Sequence, residues 1–377
     1  MSGFVRTVEG TTTFLVPESS LTEKVPPKAP AFFNPSAKLN RDLSILAYRA
    51  FAPCLSRKTL ADCFTGVGAR ALRVAVEVPE VEQVYGNDIN SVAIEAARKA
   101  AKFNSVDHKC HFSIDEVCKF LLRGDSKGER FGIVDIDPFG TPAKHVDCVL
   151  RAVLDGGLIS MTATDTAVLC GVYPQVCWRR YYGKPLNNTY GNEIAIRLLF
   201  SLIALTASRL ELSIRPLFAH ATMHYLRVYA SVTVSSSDAN NVYDHIGYVM
   251  HCFQCGHRFN AKECDGTKCE LCGGAMRVGG QLWTGLLHDR EFVKRMLRQD
   301  QDTRCKKVLD AAAEEASGIP YYFRSDEISS RLRTNPHSVQ KIIEKLKAAG
   351  FIASRTALNP GGFKTDARID RILEVLH

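Results

Sequence analysis

The chain has 377 residues, 46% of them apolar and 23% charged, with 26 Gly and 15 Pro. That composition excludes intrinsic disorder, and the length is enough for two or three domains. The 48 Lys and Arg against 40 Asp and Glu leave a formal charge of +8, compatible with a polyanionic partner but too small to name one.

Residues 1–35 are rich in Thr, Pro and Lys and hold no lasting period. They read as an N-terminal extension with a strand or two. Met1 to Val16 has no basic stretch ahead of an apolar core, so no secretory signal is expected. No window offers 18 uncharged apolar residues, so no membrane span is expected either. From Lys58 short apolar runs alternate with helical patterns. Strands are predicted at Lys58–Cys63, Val81–Asn87, Cys110–Ile114, Gly132–Asp137 and Gly157–Thr162. Between them the period changes to helices at Ala69–Glu77, Ser91–Phe103, Glu116–Arg123 and Ala143–Leu154. This alternation argues for a doubly wound, mostly parallel sheet covered by helices on both faces. Asn192–Arg209 reads as a long apolar helix, and Tyr225–Ser235 alternates at period two as a strand.

Residues 247–280 are short, polar and rich in Gly and Cys. After about Leu282 the chain becomes helical and basic. Residues 290–377 hold 17 Lys and Arg against 12 Asp and Glu, so +5 of the charge lies in the last quarter. There Ser325-Asp326-Glu327-Ile328 reads as a helix-opening cap. Val339–Ala349 is an amphipathic helix with Gly350 as its C-cap. Helix, turn, basic helix and an extended Phe351–Arg355 suggest a winged-helix-like module, either for nucleic acid or for packing alone. The domains are accordingly 1–245, 246–280 and 281–377.

The turn Asp62-Cys63-Phe64-Thr65-Gly66-Val67-Gly68 lies between a strand and a helix. Glycines there let a ligand approach the backbone at the carboxyl end of the strand. Arg70 and Ala71 follow, so a third glycine is missing. Asp88 ends the next strand, 20 residues past Gly68, where an acid can hold both hydroxyls of a ribose. The pair points to an adenosine-bearing cofactor. It does not choose between a nicotinamide dinucleotide and S-adenosylmethionine. Asp115 follows a third strand and either faces an adenine amino group or caps the Glu116 helix.

Asp135-Ile136-Asp137-Pro138-Phe139-Gly140 ends the fourth strand of the series. An exocyclic base amine is a poor nucleophile, because its lone pair is delocalised into the ring. Asp137 can accept its N–H, align the nitrogen and help remove the proton. Pro138 fixes the turn and offers a carbonyl acceptor, and Phe139 offers a face for an extruded base.

With these residues, the chain resembles the tRNA (guanine-26-N2)-dimethyltransferase family in its archaeal-type form, over nearly its whole length. The carriers are Phe33-Asn34-Pro35 with Asn40-Arg41-Asp42-Leu43, the Asp62–Gly68 turn, Asp137-Pro138-Phe139-Gly140, Gly191-Asn192-Glu193, and Ser354-Arg355-Thr356 with Lys364-Thr365-Asp366-Ala367. Many base-amino methyltransferases carry Asn-Pro-Pro-Tyr instead. The resemblance implies a Rossmann-like α/β methyltransferase domain using S-adenosylmethionine, with tRNA as partner and a cytoplasmic location. It implies that Arg41 binds the cofactor carboxylate. Asp62, Gly66 and Gly68 would line the methionine and ribose side, Asp88 the ribose, and Asp115 with Glu116 the adenine side. Asp137 would be the catalytic acceptor, within Asp137-Pro138-Phe139, and Phe33 and Phe139 would flank the guanine. Without that context Arg41 reads as a surface arginine and Phe33 as core. No membrane and no obligate protein partner are expected.

Cys252-x-x-Cys255 and Cys269-x-x-Cys272, each followed by Gly, form two knuckles with the spacing of a zinc ribbon. Four thiolates leave no open position, so the zinc would be structural. Cys264, His251 and His257 are alternative ligands, and disulfides or free thiols the plain alternative. The other nine of the 13 cysteines (Cys54, Cys63, Cys110, Cys118, Cys148, Cys170, Cys177, Cys264, Cys305) read as small buried hydrophobes in a reducing compartment. His108, His111, His145, His220, His224 and His245 share no spacing and receive no chemistry. Two further readings remain open on the residues alone: a nicotinamide-dependent oxidoreductase, and a non-catalytic RNA-binding protein.

Overall fold

Phe4–Glu9 (β1) and Thr12–Pro17 (β2) pair antiparallel as a hairpin, the strands foreseen in the extension. The fold is described from a computed structural model, for residues 3–222, 225–264, 266, 268–315 and 318–377; His224 lies outside the described residues. These fall into two compact units. The first comprises 1–162, 229–234 and 295–306, and the second 163–228, 235–294 and 307–377.

In the first unit, Thr59–Asp62 (β3), Gln83–Asn87 (β4), Cys110–Ser113 (β5), Phe131–Ile136 (β6) and Val153–Ala163 (β7) lie in the order β5-β4-β3-β6-β7, all parallel. The chain runs outward from β3 to β5 and then returns to the other side of β3 at β6. That reversal opens a crevice at the carboxyl ends of β3 and β6. Every residue of β3 and β6 is buried, as expected for strands covered on both faces. The helices Ala69–Glu77 and Ser91–Phe103 have the predicted bounds. Asn90 caps the second by accepting from the Val92 and Ala93 amides, which serves two of its orphan donors.

The second unit is built on Gly191–Ser208. This is the one described helix long and apolar enough to cross a membrane, and most of it is buried inside the protein. Its two charges are internally matched. Arg197 donates to Glu193 at 2.7 Å, and Lys364 reaches Glu193 and Glu315, each at 2.7 Å, with all four side chains buried. The Gly-Asn-Glu and Lys-Thr-Asp-Ala segments thus meet in one ion network, and Lys364, with His288, holds the buried Glu315 carboxyl well below its usual range. The unit also carries Leu212–Thr222 (β8) and the start of Tyr225–Val234 (β9). Ile246–Cys252 (β10), Arg258–Ala261 (β11) and Met276–Trp283 (β12) follow, in the order β11-β10-β12. Phe323–Arg324 (β13), Ala353–Arg355 (β14) and Gly362–Thr365 (β15) form a small antiparallel sheet, order β13-β15-β14. It packs with Ser325–Leu332, Val339–Ala348 and Ile369–Leu376 around Phe323, Ile342, Leu346, Phe363 and Ile372.

Gly350 takes φ +88° after the Val339–Ala348 helix, and Phe351 N–H donates to Leu346 at 3.0 Å, closing the helix as foreseen. Ser325 is not a cap. The N-cap is Arg324, and the Ser325 hydroxyl instead donates to the His337 carbonyl. The hydroxyl is thus engaged as a donor across the fold rather than as an acceptor for the first-turn amides.

The scattered cysteines need correction. Cys63, Cys110, Cys177 and Cys305 are buried as expected, but Cys54 and Cys264 are exposed. Cys118 and Cys148 are joined in a disulfide, with Cα atoms 5.4 Å apart. They sit on Val117–Arg123 and Val146–Ala152. A 30-residue separation gave no local sign of that proximity.

Candidate active site

The crevice is charged because parallel register sets two aspartates side by side. Asp62 ends β3 and pairs in register with Asp135 on β6. Two buried carboxylates at one strand spacing repel unless a cation joins them. Arg70, in the first turn of Ala69–Glu77, supplies it. One guanidinium nitrogen donates to Asp135 at 3.0 Å and another to Asp137 at 2.7 Å. Arg70 is almost fully buried, whereas the Asp137 side chain is 27% exposed. Asp135 also accepts from the Tyr48 hydroxyl, and from Ser160 at 2.6 Å. The strand-end motif therefore has one sealed carboxylate, Asp135, and one facing outward, Asp137.

Burial, then the neighbouring Asp135, pushes the Asp62 carboxyl up to about 7. Thr65 donates to its Oδ2 at 3.0 Å. Its Oδ1 is buried without a protein partner, and such an oxygen suits the ammonium of an amino-acid moiety. Gly66 and Gly68 both adopt positive φ, and a Cβ on Gly68 would meet Ala97 and Leu72 at 3.0 Å. The turn therefore needs glycine at Gly68, for conformation as well as for space. Asp88 accepts from the Gly66 and Asn90 amides, both at 2.9 Å, which fixes its carboxylate at the rim.

Asp115 is paired with Lys119 at 3.2 Å and Arg123 at 2.9 Å. Hydrogen bonding to Lys119 is the first cause holding its carboxyl low. It does not cap the helix that follows. Glu116 does, accepting from the Lys119 amide at 3.0 Å. Asn87, at the end of β4, holds the Asp115 backbone through bonds of 3.0 and 3.1 Å.

Arg41 is no surface residue. It is buried and grips Glu9 through Nε and Nη2 at 2.7 and 2.6 Å, with a third bond to the Asn34 carbonyl. Arg73 reaches the same Glu9 at 2.9 Å. Burial would raise the Glu9 carboxyl, but the two guanidinium groups hold it below its usual range. Among the described residues these three bonds engage Nε and Nη2 and leave Nη1 without one.

Phe33 requires correction as a base-stacking residue. It is 4% exposed, packed on Phe14 with the Arg41 guanidinium over its ring. Its neighbour Phe32 instead packs against Phe139, ring centroids 4.9 Å apart in a T-shaped arrangement. Phe139 is exposed, and Lys28 lies over its ring at 4.8 Å. Successive residues of an extended segment point to opposite sides, so a shift of one position exchanges core for crevice. Sequence reading also passed over Arg70, Asp135 and Tyr48. Arg70, Arg73 and Glu77 recur at i, i+3 and i+7 on an otherwise apolar helix. That charged stripe was the available signal.

An open α/β switch point with an outward Asp-Pro-Phe turn at its mouth defines the class of methyltransferases that modify a base amino group. Comparison with known proteins is specific within that class. The chain matches the N2,N2-dimethylguanosine tRNA methyltransferase family over residues 10–377. It is 35% identical to the tRNA (guanine(26)-N(2))-dimethyltransferase of Methanothermobacter thermautotrophicus, across 98% of this chain and 97% of that one. It is 30% identical to the tRNA (guanine(26)-N(2)/guanine(27)-N(2))-dimethyltransferase of Aquifex aeolicus, across 97% and 94%. Its fold superposes on Trm1 from Pyrococcus horikoshii, solved with S-adenosyl-L-methionine, with TM-score 0.84, 26% identity and coverage of 98% and 99%. The chain belongs to the N2,N2-dimethylguanosine tRNA methyltransferase family.

In the second unit, Cys252, Cys255, Cys269 and Cys272 bring their sulfurs within 4.8 Å of one another, and none is disulfide-bonded. Cys252–Cys272 and Cys255–Cys269 are 3.5 Å apart, close to the roughly 3.8 Å edge of a tetrahedral zinc–thiolate site. Gly256 and Gly273 donate to Cys252 and Cys269 at 2.8 Å with positive φ, closing both knuckles. Cys264, His251 and His257 stand outside the cluster. We expect about one zinc per chain by metal analysis. Cys269→Ser should remove it and lower Tm by on the order of 10 °C, because structural zinc binding is folding free energy.

A second expectation concerns pH. Asp62 is protonated below about 7 in the free protein, while pairing with a ligand ammonium requires the carboxylate. S-adenosylhomocysteine affinity should fall about tenfold between pH 7.5 and 6, with about one proton released on binding at pH 6. Calorimetry in buffers of different ionisation enthalpy measures both, and Asp62→Asn should flatten the profile. For stability the sign is opposite. A raised carboxyl pKa favours the ligand-free fold at low pH, and that contribution is lost as pH rises from about 4 through 7.

Proposed function

We propose that the chain transfers one or two methyl groups from S-adenosylmethionine to the exocyclic N2 of a tRNA guanine, guanine 26 foremost, in the cytoplasm. The observation that carries this reading is Asp137, held by Arg70 at the mouth of the crevice beside Phe139 and Phe32. When bound, the cofactor supplies an electrophilic methyl group. Asp62, through its unpartnered oxygen, and the Gly66–Gly68 turn would hold its methionine side, with Arg41 Nη1 toward the carboxylate. Asp88 would hold the ribose, and Asp115 with Glu116 the adenine side. Phe139, braced edge-on by Phe32, would offer its exposed face to the flipped guanine. Asp137 would accept the N2–H and with the Pro138 carbonyl align the nitrogen, and positioning supplies much of the rate. A nicotinamide oxidoreductase would leave Asp137 and Phe139 without a task.

We place the zinc ribbon at 246–280 and a winged-helix-like tRNA-binding domain at 281–377. Its basic helix, Val339–Ala348, presents Lys341 and Lys347 to solvent. The test is methylation of an unmodified transcript with labelled cofactor, followed by nuclease mapping. Label in N2-methylguanosine or N2,N2-dimethylguanosine at position 26 supports the reading. Equal incorporation into a transcript with guanine 26 replaced by adenine overturns the position, and no incorporation into any tRNA overturns the function.

A further inference from the structure

The segment 172–184, Val-Tyr-Pro-Gln-Val-Cys-Trp-Arg-Arg-Tyr-Tyr-Gly-Lys, has no part in the crevice chemistry. It contains the helix Pro174–Tyr181, whose Cys177 and Tyr181 are fully buried. Asp165 locks the helix from below, accepting from the Tyr181 hydroxyl at 2.7 Å and from Arg180 at 3.0 Å. The antiparallel bridge of Lys184 to Gly280 fixes its far end.

On this rigid support the outward residues are aromatic. Val172, Tyr173, Trp178 and Tyr182 are 55–60% exposed. Soluble surfaces avoid gathering such side chains unless a partner covers them. Tyr182 closes the helix as its C-cap, its N–H donating to the Trp178 carbonyl at 2.9 Å, which places the two residues side by side. Tyr182 holds φ +52°, a left-handed conformation unusual for a bulky residue and kept where surrounding structure enforces it. Arg179 and Lys184 are exposed beside the rings and form no ion pair among the described residues. Between 164 and 190 the sole acid is Asp165, already engaged within the fold.

Exposed rings interleaved with unpaired cations fit a polyanion that also has π-faces to offer. A hydrophobic protein partner would use the rings and leave Arg179 and Lys184 unmatched. We propose that this face is a stacking platform for unpaired nucleotides of the RNA substrate, with Trp178 and Tyr182 receiving bases and Arg179 and Lys184 the phosphates. The inference rests on the tRNA reading above.

The chain has two tryptophans, and Trp283 is buried with its indole N–H bonded to the Leu286 carbonyl. Trp283 therefore contributes a constant background, and a ligand-induced change in indole fluorescence reports Trp178. Titration of the full chain with an unmodified tRNA transcript should quench it, and Trp178→Phe should lose the signal while keeping affinity within about threefold. Trp178→Ala should weaken tRNA binding about tenfold or more, with S-adenosylhomocysteine binding and Tm unchanged. Arg179→Ala should reduce the salt slope of log K by roughly 0.7. A single-stranded oligouridine should compete better than an RNA duplex. If wild type binds tRNA while Trp178→Ala binds it equally well, the proposal is overturned. A changed gel-filtration mass in Trp178→Ala at unaltered tRNA affinity assigns the face to a second copy of the chain, which also overturns it. If wild type binds no tRNA transcript at all, the tRNA reading fails and this proposal with it.

Discussion

Replacing Asp137 by alanine should lower single-turnover methyl transfer by a factor of about 10² to 10⁴, the usual contribution of a positioned acid or base. S-adenosylhomocysteine affinity should change by no more than about threefold, and Tm by no more than about 3 °C. The reason is the division of labour at the strand end. Asp137 is partly exposed and receives one bond from Arg70. Arg70 keeps its bond to buried Asp135 when Asp137 is gone. Nothing buried loses its only counter-charge, so stability is nearly conserved. Asp137→Asn keeps an acceptor oxygen but not the capacity to take a proton, so it should fall between alanine and wild type. Transfer by Asp137→Ala at the wild-type rate would remove this residue from the chemistry.

The second large effect is expected at Arg70. Arg70→Met leaves buried Asp135 beside buried Asp62 with no cation between them. Stranding a buried charge costs about 3–5 kcal/mol, or on the order of 10 °C in Tm. The same substitution frees Asp137, so methyl transfer should fall with it. A third readout separates this electrostatic role from simple packing. Arg70 is the cation that pulls the Asp62 carboxyl down against burial and Asp135. Without it the pH at which cofactor binding weakens should move above 7, measurable by the same two-buffer calorimetry. Arg70→Lys restores charge but not the fork that spans two carboxylates. It should recover much of the stability and little of the rate. An unshifted pH profile in Arg70→Met would show that Arg70 acts by packing.

The legible part of the protein was what local physics fixes. Period-two and 3.6-residue patterns located the helices Ala69–Glu77 and Ser91–Phe103 to the residue, because each buries one repeating face. The Gly66–Gly68 turn, Asp88, the Asp-Pro-Phe motif and the Cys-x-x-Cys knuckles were readable because their chemistry depends on spacing within a few residues. Strand ends were displaced by a residue or two, as at Gln83–Asn87, and by four at the start of Val153–Ala163, where a helix was expected to run to Leu154, since pairing rather than propensity ends a strand.

What only tertiary structure decided was which distant groups meet. Asp62 and Asp135 become neighbours through parallel register across 73 residues, and burial together with that adjacency makes Asp62 titrate near 7 and demands Arg70. The Cys118–Cys148 bond and the joining of Glu193 to Lys364 depend in the same way on long-range packing. Phe32 rather than Phe33 faces Phe139 for the same reason. In an extended segment, adjacent side chains take opposite sides, and only the packed core determines which side is the inside.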